Sequence, residues 1–169
     1  MCLASGMKPA MPDTSIVRNL VIAVFGLNGR LIETGNHLVG DIGLTTAWWQ
    51  VLGALGYSPV PLPVAHIARN MGLSRQSVQR TVDLLAERKL VRFDVNPHHQ
   101  RAKLVVLTAA GRAALAAAEA AEGPLNQVVF DRIGGERIAA ALKVLAEMDG
   151  IIAQEIDAGM GRIDKGTAA

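Results

Sequence analysis

Apolar residues recur at spacings of three and four over most of the chain, which predicts a mainly helical protein. The first such stretch covers residues 15–37 and would place one apolar stripe along a long helix. Further helices are predicted over residues 44–55, 64–71, 75–88, 109–122 and 136–156. Prolines at 59, 61 and 63, and the pair Gly123-Pro124, are expected to end the helices that precede them.

Residues 64–88 carry the most specific local pattern. A short helix is followed by Gly72-Leu73-Ser74, where the glycine can adopt a left-handed turn and Ser74 can cap the next helix. That second helix is expected to bury Val78, Val82 and Leu85. Its outward side would be polar and basic, with Arg75, Gln76, Ser77, Gln79, Arg80 and Asp83. Two helices joined by a tight turn, the second with a polar front, are typical of a helix-turn-helix.

After residue 88 the apolar positions alternate, which predicts strands instead of a helix. Val91, Phe93 and Val95 alternate with polar residues, and residues 96–100 are rich in turn formers. Residues 101–108 then return as a second strand, with Leu104 and Val106 on one face. A β-hairpin directly behind a helix-turn-helix is a wing.

Charge is distributed unevenly along the chain. Residues 63–112 contain nine Lys or Arg and three acids, a net charge of +6. The remaining residues contain eight bases and twelve acids, a net charge of −4. A basic middle third with acidic flanks predicts a surface that meets a polyanion, although a solvated surface without a partner would have the same charge.

Composition excludes several classes of protein. Half of the 169 residues are apolar and 19% are charged, which supports a packed core and excludes a disordered chain. No uninterrupted apolar run approaches the roughly 18 residues that cross a bilayer, and prolines and an acid interrupt residues 1–15. We therefore expect a cytoplasmic protein.

Residues suited to catalysis, metal binding or redox sensing are sparse. Cys2 is the single cysteine and lies before the first predicted helix, which disfavours a disulfide or a thiol switch. The four histidines are scattered and form no recognisable ligand set. No nucleophile, base and orienting group can be assigned together, so we expect neither an enzyme nor a metal or other cofactor.

The ordered set of these pieces resembles the MarR family of bacterial winged-helix transcriptional regulators. The resemblance covers roughly residues 15–157 and is strongest over residues 64–112. Four segments carry it: Gly43-Leu44-Thr45 followed by Trp49, Val51 and Leu52; Ile67-Ala68 through Gly72-Leu73-Ser74-Arg75-Gln76-Ser77-Val78; Asn96-Pro97 through Arg101-Ala102; and Val106-Leu107-Thr108 with Gly111. Two positions depart from the family pattern: Lys89 replaces the usual Gly before the wing, and His99 replaces a common acid near the wing tip.

The resemblance implies a mainly α fold with a small β-wing, in which dimerisation helices flank a winged helix-turn-helix. The predicted organisation is a flexible N-terminal segment over residues 1–14, a dimerisation helix over 15–40 and the DNA-binding domain over 41–108. Residues 109–157 would supply C-terminal dimerisation helices, and residues 158–169 a flexible tail. The implied assembly is an obligate homodimer with two winged domains that straddle double-stranded DNA.

The chemistry of the exposed residues suggests how such a dimer would read DNA. Gln76 and Gln79 can bond to adenine, and Arg75 or Arg80 to guanine or phosphate, from a helix in the major groove. Ser74 and Ser77 suit phosphate oxygens. Arg101 at the wing tip suits a narrow minor groove. The full set of predicted DNA contacts is Ser74, Arg75, Gln76, Ser77, Gln79, Arg80, His98, His99 and Arg101.

Related proteins commonly bind a small organic molecule between the dimerisation helices and the winged domain. His37, Trp48, Trp49 and His66 lie on segments that could border such a cleft, and an aromatic or phenolic effector is the expected class. Trp48 and Trp49 point about 100° apart on a helix, so at least one of them is expected in the core.

The sequence therefore favours a dimeric, ligand-responsive regulator that represses by covering a pseudo-palindromic operator. Two alternatives stay open: a nonspecific architectural DNA-binding protein, and a winged-helix dimerisation module that does not bind DNA.

Overall fold

The computed structural model describes residues 14–97, 99, 101–156 and 158. The predicted mainly α fold with a small β-wing is confirmed. The elements are α1 (Ser15–Gly40), α2 (Thr46–Gly56), β1 (Leu62–Pro63), α3 (Val64–Asn70), α4 (Arg75–Glu87), β2 (Val91–Asp94), β3 (Leu104–Leu107), α5 (Ala109–Ile133) and α6 (Gly135–Glu155). The chain divides into two compact units, Met1–Ala121 and Glu122–Ala169.

Within the first unit, α1 is attached to the rest only near its C-terminal end. The side chain of Thr46 at the start of α2 donates a 2.9 Å hydrogen bond to the carbonyl of Ile32, and its backbone N–H donates a 2.8 Å bond to Asn36. Gly35 makes this approach possible, because a Cβ at that position would lie 3.1 Å from Cγ2 of Thr46. In α1, only Gly35 and Val39 are buried.

The core of the first unit joins α2, α3, α4 and the sheet. The predicted buried side of α4 is confirmed, since Val78, Val82 and Leu85 are all at most 1% exposed. They pack in one cluster with apolar residues of the other elements: Val39, Leu52, Ile67, Val91 and Val105. Burial of these side chains fixes α4 so that its opposite side faces outward.

Local hydrogen bonds explain why the helix-turn-helix forms where the sequence predicts it. Gly72 adopts a left-handed conformation with φ of 62°, and Leu73 N–H reaches back to the carbonyl of Ala68 at 2.9 Å. This is the usual glycine-dependent end of a helix. Ser74 then caps α4, because its hydroxyl accepts a 3.1 Å hydrogen bond from the N–H of Ser77.

Lys89 has the backbone conformation that glycine usually supplies at this point. Its φ is 60°, and the N–H groups of Lys89 and Leu90 both donate 2.9 Å bonds, to the carbonyls of Ala86 and Leu85 respectively. The turn between α4 and the wing is therefore the same as one made by glycine, formed here by a residue with a side chain.

The sheet has three antiparallel strands in the order β1-β3-β2, one more strand than the sequence predicts. Pro63 is compatible with β1 because β1 is an edge strand. In β3 the buried side chains are Val105 and Leu107, whereas Leu104 and Val106 share the opposite, partly exposed face. Val105 pairs with Phe93 of β2, which joins the hairpin to the core.

The prediction that Gly123-Pro124 ends a helix is wrong, because α5 continues to Ile133 with Pro124 inside it. A proline inside a helix removes one N–H donor and crowds the carbonyl four residues before it, yet the helix continues on both sides of Pro124. The beginning of α5 is capped as predicted, since Gly111 N–H donates a 3.0 Å bond to the hydroxyl of Thr108.

In the second unit, α6 begins after Gly134, which has a φ of 85°. None of the described residues of α6 is buried within the chain.

Among the described helices, α1 alone is long and apolar enough to pass a length-and-composition test for membrane spanning, with a mean hydropathy of 1.4 over 18 residues. No single apolar run reveals this property, because polar residues interrupt every run without lowering the mean hydropathy of the whole window enough. A helix whose apolar side packs against another protein passes the same test.

Candidate nucleic-acid interface

The outward side of α4 is the most polar face that the helix-turn-helix presents. Arg75, Gln76, Ser77 and Arg80 are exposed, and Gln79 is half-buried. The N-terminal end of α4 projects Arg75 and Gln76 next to Ser74, whose O–H can still donate to an anion while its oxygen caps the helix. This end of the helix combines free donors with the positive end of the helix dipole, which suits a phosphate.

Gln79 is held in a defined orientation. Its Nε2 donates a 2.8 Å hydrogen bond to Oδ1 of Asp83, one turn further along α4. The bond identifies the nitrogen end of the amide and leaves the amide oxygen and the second N–H free. Those two free groups are the acceptor and donor that a bidentate contact with adenine requires.

The wing and α4 enclose a concave surface, which we call the basic groove, defined by Arg75, Gln79, Asp83, Arg101 and Lys103. Its volume is about 330 Å³ and its apolar floor includes Val64 and Phe93. The structure thus brings together residues from the helix and from the wing that are at least eighteen positions apart in sequence. Three of its five defining residues are cations, which suits a polyanion.

Two backbone hydrogen bonds join described residues of the wing tip. His99 N–H donates to the carbonyl of Asn96 at 3.2 Å, and Ala102 N–H donates to the carbonyl of His99 at 3.0 Å. His99 and Arg101 are both exposed. His98, also a predicted DNA contact, lies outside the described residues.

Another cation of the wing is already paired. Arg92 donates two 3.0 Å hydrogen bonds to the carboxylate of Asp94, and both side chains are largely exposed. This pair is a surface ion pair on one strand and adds little free positive charge to the wing.

Sequence reasoning missed Lys103, which lines the basic groove. The signal was available: Arg101 and Lys103 are two positions apart, and side chains two apart in an extended segment share a face.

The four predicted effector residues occupy different environments. Trp48 and Trp49 are both half-buried and pack against the core, and the guanidinium of Arg88 lies 4.8 Å from the centre of the Trp48 ring. His37 and His66 are exposed. None of the four lines the basic groove or a second cavity of about 500 Å³ formed by the end of α2, β3 and α5.

Large apolar surfaces remain open on α1 and α6. In α1, six large apolar side chains are more than half exposed: Ile16, Val17, Ile22, Phe25, Leu27 and Leu31. In α6 the same is true of Leu142, Val144 and Ile151. Soluble chains seldom expose apolar surface on this scale unless another surface covers it.

Comparison with known proteins gives concordant results. The family model that matches residues 42–102 is that of the MarR family. An uncharacterised protein of Mycobacterium tuberculosis, Rv2011c, is 32% identical over 132 residues, which cover 78% of this chain and 91% of the relative. The transcriptional activatory protein BadR of Rhodopseudomonas palustris is 29% identical over 99 residues, which cover 57% of each chain.

Solved structures show the same fold. The transcriptional repressor CouR bound to a 23-mer DNA duplex is 25% identical with a TM-score of 0.67, and the match covers 83% of this chain and 99% of CouR. CouR from Rhodococcus jostii RHA1 bound to p-coumaroyl-CoA has a TM-score of 0.69 at 22% identity, over 76% of this chain and 90% of that one.

Proposed function

Because the chain belongs to the MarR family of transcriptional regulators, we propose that it binds a pseudo-palindromic DNA operator as a homodimer and represses transcription from it. The observation that carries the proposal is the basic groove between α4 and the wing, where cations and an oriented amide face outward together. The solved complex of CouR with a DNA duplex supports the DNA partner.

In this proposal α4 enters the major groove and the wing follows the adjacent backbone. Gln76 and Gln79 read bases, and Arg75, Arg80, Ser74 and Ser77 contact bases or phosphates. Arg101 enters a minor groove with His98 and His99 beside it, and Lys103 contacts phosphate.

Dimerisation is supported by the apolar surfaces of α1 and α6. Each helix exposes large aliphatic side chains that a second copy of the chain would cover, in keeping with predicted dimerisation segments over residues 15–40 and 109–157. With two-fold symmetry, the two α4 helices would meet half-sites about 34 Å apart on one face of the duplex.

Repression is the simpler outcome, because a dimer that covers a promoter blocks polymerase without further contacts. Relatives include both a repressor, CouR, and an activatory protein, BadR.

A small organic effector is part of the proposal, supported by the complex of CouR with p-coumaroyl-CoA. The proposed compartment is the cytoplasm, where bacterial DNA lies.

The proposal is tested by selecting bound sites from genomic fragments and measuring affinity for the best site at several salt concentrations. We expect log affinity to fall steeply with log salt, and Lys103→Ala to reduce that slope by about 0.9, the value for one phosphate contact. Gln79→Ala should relax the preference for one base pair instead.

Arg69→Ala is the matched control, because Arg69 is an exposed cation of the same basic segment that does not line the basic groove. It should leave the salt slope unchanged. Equal effects of Arg69→Ala and Lys103→Ala would contradict the assignment of the groove. A specificity ratio near one against bulk DNA would favour the architectural alternative, and a complete lack of DNA binding would favour the dimerisation module.

A further inference from the structure

The second cavity lies within the first unit, on a side of the winged domain that the DNA-binding proposal does not use. The end of α2, the segment after it, β3 and the first turns of α5 enclose about 500 Å³. Its floor is apolar and includes Leu55, Val105, Leu107 and Leu115. Ligand sites are commonly concave, mostly apolar and equipped with a few placed polar groups.

Two glycines of α2 shape this cavity. A Cβ at Gly56 would overlap the side chain of Leu115, so the glycine allows α5 to approach the end of α2. A Cβ at Gly53 would lie 3.3 Å from the ring of Tyr57, so the glycine allows that ring to lie close to the helix. The end of α2, the ring of Tyr57 and α5 are therefore closely packed at this wall of the cavity.

Opposite charges stand at the two ends of the cavity. Arg112 is held at one end, where its Nη1 donates a 3.1 Å hydrogen bond to the carbonyl of Leu107 and leaves its other N–H groups available. At the other end, the hydroxyl of Tyr57 donates a 2.7 Å bond to Oε1 of Glu119, which fixes that carboxylate and leaves Oε2 to accept.

The two charges lie on one side of α5. Arg112 and Glu119 are seven residues apart, so they share one helical face, with their backbones about 10.5 Å apart along the helix axis. The apolar side chain of Leu115 lies between the two charges, so the middle of the ligand should be apolar.

We propose that this cavity binds a small zwitterion, with its carboxylate at Arg112, its ammonium at Glu119 beside the ring of Tyr57, and an apolar body between them. Each ligand charge then meets an opposite charge of the protein, and the ring of Tyr57 adds a face that attracts a cation.

The cavity is connected to the end of α4 by hydrogen bonds. Arg112 bonds to the carbonyl of Leu107, and the next residue, Thr108, donates from its hydroxyl to the carbonyls of Lys89 at 2.7 Å and Leu90 at 3.1 Å. A ligand that engages Arg112 therefore acts on the segment that holds the turn after α4. We expect occupancy to change DNA affinity, and this regulatory consequence rests on the proposed function.

Binding is tested with the full chain in the absence of DNA, by calorimetry with 4-(aminomethyl)benzoate as the probe. We expect one saturable site per chain. Arg112→Gln should weaken binding about tenfold or more, since it removes a charge-assisted bond. Glu119→Gln should weaken the zwitterion severalfold but leave 4-methylbenzoate, which lacks the ammonium, unaffected. A merely structural role of Glu119 would weaken both probes equally.

Arg69→Gln is the control for loss of a positive charge outside the cavity and should leave binding unchanged. The proposal is overturned by the lack of saturable binding, or by an Arg112→Gln variant that binds as the unaltered protein does. DNA binding is measured separately, so a chain that binds DNA but not the zwitterion refutes only this inference. A chain that binds the zwitterion but not DNA refutes only the proposed function.

Discussion

Gly111 is the position at which a single methyl group should do the most damage to the winged domain. It lies in the first turn of α5, where a Cβ would overlap the carbonyl oxygen of Leu90 and come within 3.0 Å of its carbonyl carbon. The same Cβ would lie 3.2 Å from Cδ2 of Leu107. Because the obstacle is backbone, it cannot be relieved by rotation of a side chain.

The expected cost of Gly111→Ala follows from three contributions. Overpacking of this kind costs about 1–3 kcal/mol. The displaced Leu90 carbonyl accepts hydrogen bonds from the N–H of Thr108 at 3.0 Å and from its hydroxyl at 3.1 Å, each worth about 1 kcal/mol. Replacing a helical glycine by alanine returns about 1 kcal/mol. The free energy of unfolding should fall by about 2–4 kcal/mol, which corresponds to a Tm lower by about 4–16 °C.

Gly150→Ala provides the control in helix α6, because a Cβ there meets nothing within 4 Å and no proline follows it. This variant gains the higher helix propensity of alanine, and its new Cβ overlaps no other atom. Its free energy of unfolding should therefore rise by about 0.5–1 kcal/mol. Both variants are compared with the unaltered protein by urea unfolding followed by circular dichroism, at one protomer concentration, because the proposed dimerisation would contribute to the apparent stability. A Gly111→Ala variant as stable as Gly150→Ala would refute the reasoning.

Three further changes probe the turn, the helix α1 and the DNA-reading face. Lys89→Gly should raise the unfolding free energy by about 1 kcal/mol, since glycine adopts the left-handed φ without strain, whereas Lys89→Ala should give no gain in the same urea titration. Phe25→Glu places a charge on the exposed side of α1 and should convert a dimer to a 17.8 kDa monomer in light scattering; an unchanged dimer would exclude Phe25 from the interface. Asp83→Ala releases the amide of Gln79 and should relax base preference severalfold in site selection; a retained preference that Gln79→Ala abolishes would contradict the orienting role of Asp83.

Local patterns were enough to predict the helix-turn-helix, because its ends are fixed by interactions between near neighbours. Ser74 and Thr108 both accept the capping bonds that their positions predict, from N–H groups three residues on. Gly72 adopts the left-handed turn for which only glycine is unstrained. The front of α4 follows from the burial of its other side, which the helical period determines.

Features that depend on distant partners were not predictable in this way. β1 is two residues long and exists because it pairs with β3, more than forty positions later, so its own residues carry no strand pattern. The buried face of β3 is likewise chosen by what lies beneath it, since Leu104 to Leu107 are all apolar and alternation cannot select between the two faces. Pro124 is the opposite case. A proline is a strong local indication that a helix ends, but here α5 continues through it.

The same distinction separates the two candidate sites. The residues of α4 that we propose to face DNA could be named from the sequence, because one helical face supplies most of them and its polarity is visible there. The cavity at Arg112 and Glu119 joins three segments whose closeness depends on Gly56 and Leu115, and nothing in the local sequence around either charge marks it as part of a site. Residues that read a polymer lie along one element, whereas residues that enclose a small ligand must converge from several. This is why the tryptophans and histidines chosen from sequence line neither cavity, while most of the residues chosen for DNA lie on the exposed face of α4.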